Sequence, residues 1–176
     1  MLRIALFSIA SVLFLGNLNA QIAEGGTPHS TSLYSLRSTS SVPVIHLEKL
    51  DIEKLRNEEL HNNQPCRFGI YKDTLIDLKS KARVDVINGE GKIWRMEIRN
   101  ETAYSLQVTF NRFVIPEGAE LFFYNEDMTL IAGAFTKRNM RDDLKFVVAD
   151  FRGNHVILEY FEPDNPEFEG QLLIGS

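Results

Sequence analysis

The stretch Trp94–Asn111, which reads WRMEIRNETAYSLQVTFN, alternates between apolar and polar side chains at a period of two. Successive side chains of a β-strand point to opposite faces of a sheet, so this alternation predicts strands with one apolar face. The short segment Asn100–Thr102 separates the two alternating halves. Because a tight connection commonly joins neighbouring antiparallel strands, the sequence predicts that residues 94–99 and 104–111 pair as a hairpin.

More short strands are predicted on both sides of that stretch, with turn-forming sequences such as Asn88–Gly91 and Pro116–Gly118 between them. No helical pattern of useful length interrupts the series, which argues against a parallel α/β sheet. The regular spacing of short strands and turns in residues 65–176 therefore favours an all-β fold, an antiparallel β-sandwich that is jelly-roll-like. The predicted strands are 67–77, 80–87, 119–125, 129–135, 144–150, 154–161 and 170–174.

Two segments of different character precede the sandwich. Residues 46–64 predict one short amphipathic helix and a linker, with Asp51 as the N-cap and Leu55 on the apolar side. Residues 21–45 are rich in Ser, Thr, Gly and Pro, and such a stretch buries too little apolar surface to order itself. We therefore expect residues 21–45 to form an extended arm.

The first twenty residues have the pattern of a cleavable signal peptide. Arg3 provides the positive start, Ile4–Gly16 is an apolar run without acidic residues, and Asn19-Ala20 ends in a small residue suited to cleavage. An apolar run of this length is too short to cross a bilayer, and no later segment reaches the roughly 18 apolar residues that a spanning helix needs. The sequence predicts a secreted chain, extracellular or periplasmic, without a membrane span.

Charge and cysteine content narrow the possible partners. The sequence has 19 basic residues, and 18 remain when Arg3 leaves with the signal peptide. The 24 acidic residues outnumber them, and this net negative charge argues against nucleic acid as a partner. The lone cysteine, Cys66, excludes an internal disulfide. Two interpretations of Cys66 stay open, a buried apolar role, which its neighbours Pro65 and Phe68 favour, and an intermolecular bond.

The sequence contains none of the residue patterns typical of serine-protease or zinc sites. Neither Gly-Asp-Ser-Gly-Gly nor a Gly-x-Ser-x-Gly elbow occurs, and no His or Cys residues have the paired spacing of a zinc site. We expect His155, which begins a predicted strand, to occupy an exposed edge position. The sequence therefore predicts no catalytic, cofactor-binding or metal-binding residues and no cofactor; the remaining histidines are His29, His46 and His61.

Two further features of the sequence, an aromatic triplet and a glycosylation sequon, allow more than one interpretation. The adjacent aromatic residues Phe122, Phe123 and Tyr124 favour core or inter-sheet packing, but a strand directs neighbours to opposite faces, so one or two of them are candidates for an exposed contact surface. Asn100-Glu101-Thr102 matches a glycosylation sequon, which matters only in a host that glycosylates such sites.

A series of short motifs runs in order through the mature chain, and in this order it resembles the N-terminal pro-region of secreted trypsin-like serine proteases of the lysyl-endopeptidase type from Bacteroidetes bacteria. The resemblance covers Gln21 to the end of the chain. Its motifs are Gln21-Ile22, Glu24-Gly25-Gly26-Thr27-Pro28, Arg67-Phe68-Gly69, Trp94-Arg95, Tyr104-Ser105, Phe113, Pro116-Glu117-Gly118-Ala119, Leu121, Tyr124-Asn125, Gly133-Ala134-Phe135-Thr136 and Leu158-Glu159-Tyr160-Phe161-Glu162-Pro163.

The resemblance implies a non-catalytic segment that precedes a trypsin-like protease domain and either assists its folding or keeps it latent. Precursors of this kind continue well past the position of Ser176 into the protease domain, so we expect this sequence to be a fragment or a truncated product, and no catalytic residue is carried over. The alternative is a stand-alone exported β-sandwich that binds glycan or a cell-surface protein. An enzyme in its own right is the least favoured interpretation, because no residue pattern supports it.

Overall fold

The computed structural model describes residues 23–33, 42–62 and 69–175. The predicted signal peptide, Cys66 and the motif Gln21-Ile22 lie outside the described residues.

Strands make up most of the described secondary structure. They are β1 (Val44–His46), β2 (Leu75–Asp77), β3 (Arg83–Ile87), β4 (Gly91–Arg99), β5 (Ser105–Val114), β6 (Glu120–Tyr124), β7 (Ile131–Phe135), β8 (Phe146–Arg152), β9 (His155–Pro163) and β10 (Gln171–Gly175). The helices are α1 (His29–Ser32), α2 (Ile52–Asn62), α3 (Leu78–Lys81) and a 3-10 turn at Lys137–Asn139.

The strands form two sheets. In the six-stranded sheet the order is β4-β9-β6-β7, and β4 carries two further strands along its other edge. β1 pairs in parallel with residues 97–99 of β4, whereas β3 pairs antiparallel with residues 91–95. The four-stranded sheet has the order β2-β10-β5-β8, with antiparallel pairs throughout.

The strand pairs are nested along the chain. β6 pairs with β7, β5 with β8, β4 with β9 and β2 with β10, so the chain is one long antiparallel ribbon that turns between β6 and β7. Successive pairs of this ribbon belong alternately to the two sheets, which is the topology of a jelly roll. The predicted all-β, jelly-roll-like sandwich is confirmed.

The predicted hairpin of residues 94–99 with 104–111 is wrong. β4 lies in the six-stranded sheet and β5 in the four-stranded sheet, and the connection after Asn100 carries the chain from one sheet to the other. Both strands still bury their alternating apolar side chains, for example Met96 and Phe110, but they do so from opposite sides of the core. A period of two reveals that a strand has one apolar face and does not distinguish a strand beside it from a strand across the core.

The predicted turn Asn88–Gly91 is confirmed, because it joins β3 and β4 as a hairpin with Ile87 opposite Gly91. The main core lies between the two sheets and is dense in aromatic rings. Phe113 and Phe146 stack with their ring centroids 4.4 Å apart, and Phe110 meets Phe123 edge-on. Both sheets supply this one core, so neither buries its apolar face without the other.

The helix predicted within residues 46–64 is present as α2, and its N-cap is confirmed, since the Asp51 carboxylate accepts a hydrogen bond of 2.9 Å from the Lys54 amide. The arm differs from expectation. Residues 23–33 pack on the six-stranded sheet, and the side chains of Pro28 and Ser30 are buried. The composition of residues 23–33 does not predict that they are ordered, because the contacts that order them come from the sheet and not from the arm.

Candidate functional site

The face of the six-stranded sheet that points away from the core carries ionic residues that are out of contact with water. Arg95 and Glu97 of β4 and Glu159 of β9 are 1%, 6% and 0% exposed. Charged side chains are almost never fully buried unless they are paired. This outer face is therefore covered, and the residues that cover it define the candidate site.

Segment 23–33, which we call the docked arm, covers the part of this face around Glu159. It begins as an added strand at the edge of β7, where the Glu24 amide donates to the Ala134 carbonyl at 3.0 Å and the Gly25 amide to the Gly133 carbonyl at 3.1 Å. The Ala134 amide donates back to the Gly25 carbonyl at 2.9 Å. Gly25 has a φ of +77°, a conformation that glycine adopts without strain.

His29 anchors the middle of the docked arm. Its ring stacks on Phe161 with the centroids 4.1 Å apart, and its Nε2 lies 2.9 Å from a carboxylate oxygen of Glu120. Leu33 follows and packs on the apolar pair Ile93 and Phe161. His29 therefore occupies a slot with an aromatic floor and an acidic wall.

Ser30 joins the arm to the buried ionic residues. Its amide donates to Oε1 of Glu159 at 3.0 Å, and the Tyr124 hydroxyl donates to Oε2 of the same carboxylate at 2.8 Å. Burial and then the adjacent Glu159 charge raise the pKa of Tyr124 above its ordinary range. Arg95 stands directly opposite Glu159 in the strand register and donates to Asp85 at 3.1 Å, so the carboxylate faces a cation as well as hydrogen-bond donors.

A second buried polar cluster surrounds Glu162 at the end of β9. Its carboxylate accepts from the Tyr160 hydroxyl at 2.6 Å, from the Gly170 amide at 2.7 Å and from the Lys79 ammonium at 2.8 and 2.9 Å. The same ammonium lies 4.7 Å from the Trp94 ring centroid. With these donors converging on one carboxylate, the cluster ties α3 and the loop before β10 to the sheet.

The aromatic residues considered for a contact surface are all buried. Phe122 and Tyr124 lie on the outer face of the six-stranded sheet, where they pack with Val42 and Ile157, and Phe123 lies in the core between the sheets. The packing interpretation is confirmed, and the exposed aromatic surface is wrong.

Two other residues singled out in the sequence behave differently from expectation. His155 is half-buried at the start of β9, which lies between β4 and β6, so the exposed edge position predicted for it is wrong. Asn100 of the sequon is buried, and its side chain accepts from both the amide and the hydroxyl of Thr102 while donating to the Glu48 carbonyl. The folded turn leaves this amide no room for a glycan.

Sequence reasoning missed the site formed by His29, Ser30, Tyr124 and Glu159, since these residues lie up to 130 positions apart. One signal was present. Glu159 interrupts the otherwise strongly apolar run Val156–Phe161, and an acid in such a run marks a position that needs a partner.

Within 23–33, 42–62 and 69–175, no group of three or more His, Cys, Asp or Glu side chains is placed to hold a metal ion. No helix in that part of the chain is long and apolar enough to cross a membrane. No known protein family, curated protein or solved structure matches the chain.

Proposed function

We propose that residues 21–176 are the non-catalytic pro-region of a secreted trypsin-like serine protease of the lysyl-endopeptidase type, and that they assist its folding or keep it latent. The observation that supports this most is the way the motifs of the resemblance come together. Motifs far apart in the sequence lie on β4, β6, β7 and β9 of one sheet, and Glu24-Gly25-Gly26-Thr27-Pro28 lies in the arm that docks on it. These motifs thus gather in one sheet and its docked arm, whereas Tyr104-Ser105 and Phe113 lie at β5 in the other sheet.

The mechanism follows from mass action. A folded sandwich that binds the native protease better than its unfolded chain shifts the folding equilibrium toward the native state. A covalent connection in one precursor raises the effective concentration of the two domains to the millimolar range, so modest affinity suffices. Latency follows from the same contact if it covers the protease active site.

Co-expression tests the proposal. Residues 21–176 are expressed in trans with a lysyl-endopeptidase-type protease domain, and the yield of soluble protease and its activity on a lysyl substrate are measured. We expect the yield to rise, and activity to fall while the sandwich stays bound if the role is latency. Unchanged yield and activity would contradict both roles.

Matched variants distinguish a specific effect from general crowding. Asn57→Ala changes an exposed side chain of α2 outside the motifs, whereas Gly170→Ala places a methyl group 2.0 Å from the Tyr160 hydroxyl oxygen. The first variant should help the protease as well as the original chain, and the second should help less in proportion to its loss of folded protein.

Export belongs to the same proposal. Expression of the full chain in a bacterium with a signal-peptide pathway should release a product that begins at Gln21, as read by mass spectrometry of the secreted protein. A product that retains residues 1–20 and stays with the cells would count against secretion.

A stand-alone module that binds glycan or a cell-surface protein is the second candidate. Jelly rolls include lectin domains, and Tyr104 is 83% exposed at the crossing between the sheets. Glycan-array or pull-down binding that Tyr104→Ala abolishes would favour this candidate, and silence across a broad panel would oppose it.

A further inference from the structure

The docked arm is held on the sheet in the way that a protein holds a peptide ligand. Its first contacts are three main-chain hydrogen bonds to the edge strand β7, from 2.9 to 3.1 Å long, between residues Glu24-Gly25 and Gly133-Ala134. Addition of an extended segment to a sheet edge is a recurring mode of peptide recognition in which the backbone provides affinity. Because these bonds join main-chain atoms only, any peptide that lies along β7 in the same way can form them.

Selectivity comes from the residues that follow. The slot between Phe161 and Glu120 holds a flat ring with a polar nitrogen, which is His29 in the docked arm. The next position must be small, because Ser30 is completely buried, and must keep its amide hydrogen, which Glu159 accepts. The site therefore reads a flat ring followed by a small residue.

The surface beneath the docked arm is suited to being uncovered. The core side chains of β4 and β9, such as Met96 and Leu158, point to the opposite face and stay covered by the four-stranded sheet when the arm leaves. On the outer face Glu159 gains hydration, which opposes the cost of exposing the Phe161 ring. No residue of the arm belongs to the core between the sheets, so we expect the sandwich to stay folded when the arm leaves.

We propose that this outer face is a peptide-recognition site, that residues 23–33 are its occupant in cis, and that a peptide of the same chemistry from another chain takes the site when the arm is displaced. Such a peptide carries a glycine pair for the β7 edge and, three residues beyond the second glycine, a flat polar ring followed by a small residue. The arm is tethered and competes at high effective concentration, so it is autoinhibitory.

Arm-released variants of the mature full-length chain test the proposal. His29→Ala/Ser30→Pro removes the stacked ring and the amide that Glu159 accepts, and Gly25→Pro removes an amide of the β7 ladder. The probe is a fluorescein-labelled synthetic peptide with the sequence of residues 23–33, and binding is followed by anisotropy. We expect the probe to bind the released variants at least ten-fold more tightly than the original chain.

Changes in the peptide provide controls that leave the protein untouched. A peptide with His29→Ala or Ser30→Leu should lose at least ten-fold in affinity, and one with Thr27→Ala, at an exposed position, should bind unchanged. Equal binding of all four peptides, or no binding to either released variant, would overturn the proposal.

Release itself is measured by hydrogen exchange at the Ala134 amide, which bonds Gly25 in the docked state. Exchange should be faster in both variants while Trp94 fluorescence keeps its folded signature. An Ala134 amide that stays protected in both would show that the arm is not exchangeable and would equally overturn the proposal.

Discussion

At the scale of single residues, burial decides the role of each polar side chain more than its type does. Glu162 and Glu159 both lie on β9 with their charges out of water, and each is matched by donors from distant parts of the chain. A buried polar group without partners would cost free energy, so these contacts explain why both residues sit inside an apolar strand.

Gly170 lies where neighbouring atoms leave no room for a side chain. A Cβ at this position would lie 2.0 Å from the Tyr160 hydroxyl oxygen and 2.7 Å from Oε2 of Glu162. We expect Gly170→Ala to lower the free energy of unfolding by about 2 kcal/mol, because the methyl group must push apart a buried hydrogen-bonded cluster. Urea denaturation measures the change, and Gly69→Ala, with open space around it, is the control. Equal stability of both variants would contradict the packing described for Glu162.

The two buried tyrosines predict a loss of stability at alkaline pH. Burial is the main reason that the pKa of Tyr124 and of Tyr160 is raised in the folded state. The neighbouring carboxylates raise it further, Glu159 beside Tyr124 and Glu162 beside Tyr160. Above the ordinary tyrosine pKa of about 10 the unfolded chain therefore releases protons that the folded chain retains, and stability falls as the pH rises further. Below that pH the two tyrosines cause no such slope.

Urea midpoints measured between about pH 9 and pH 11 check this sign. Each of Tyr124→Phe and Tyr160→Phe should flatten the alkaline decline by up to about 1.4 kcal/mol per pH unit, since each removes one titrating group. The exposed Tyr104 serves as the comparison, and Tyr104→Phe should leave the slope nearly unchanged. A slope that none of the substitutions alters would assign the alkaline effect to other groups.

At the scale of elements, the alternation of residues predicted which face of β4 and of β5 meets the core, and the contacts of the turns decided which strands are neighbours. The turn Asn88–Gly91 keeps β3 beside β4, whereas the segment after Asn100 sends β5 to the other sheet. Asn100 holds that crossing through its side chain and through its amide, which donates to the Asn154 carbonyl at 2.8 Å.

Asn100→Ala should therefore weaken the connection between the sheets. The change removes the acceptor of two Thr102 donors and leaves the Glu48 carbonyl without this partner, so we expect a loss of about 2 to 3 kcal/mol in unfolding free energy. Thermal or urea unfolding provides the value, with Asn57→Ala on the exposed side of α2 as the matched control. Indistinguishable variants would mean that the side chain of Asn100 does not hold the crossing.

At the scale of the whole molecule, the nested strand pairs make the two sheets one cooperative unit. β2 and β10 pair through Ile76 and Ile174, close to opposite ends of the sandwich sequence, and both sheets share one core. We expect a single unfolding transition, in which the fluorescence of Trp94 in the six-stranded sheet and the far-UV circular dichroism of all strands coincide. Separate midpoints for the two signals would show that the sheets unfold independently.

What the sequence determined by itself is local. Alternation in Trp94–Arg99 and in Tyr104–Phe110, the glycine turn at Asn88–Gly91 and the cap at Asp51 were enough to predict an all-β sandwich with one short helix, because each signal depends on neighbouring residues.

Only the tertiary structure decided which strands pair and where the site lies. The pairing of β4 with β9 and the contact of Ser30 with Glu159 join residues separated by more than fifty positions, and no local periodicity encodes such distances. The arm is the clearest case. Its composition predicts that it cannot order itself, and it is ordered because the sheet supplies the hydrogen bonds and the apolar ring that residues 23–33 lack on their own.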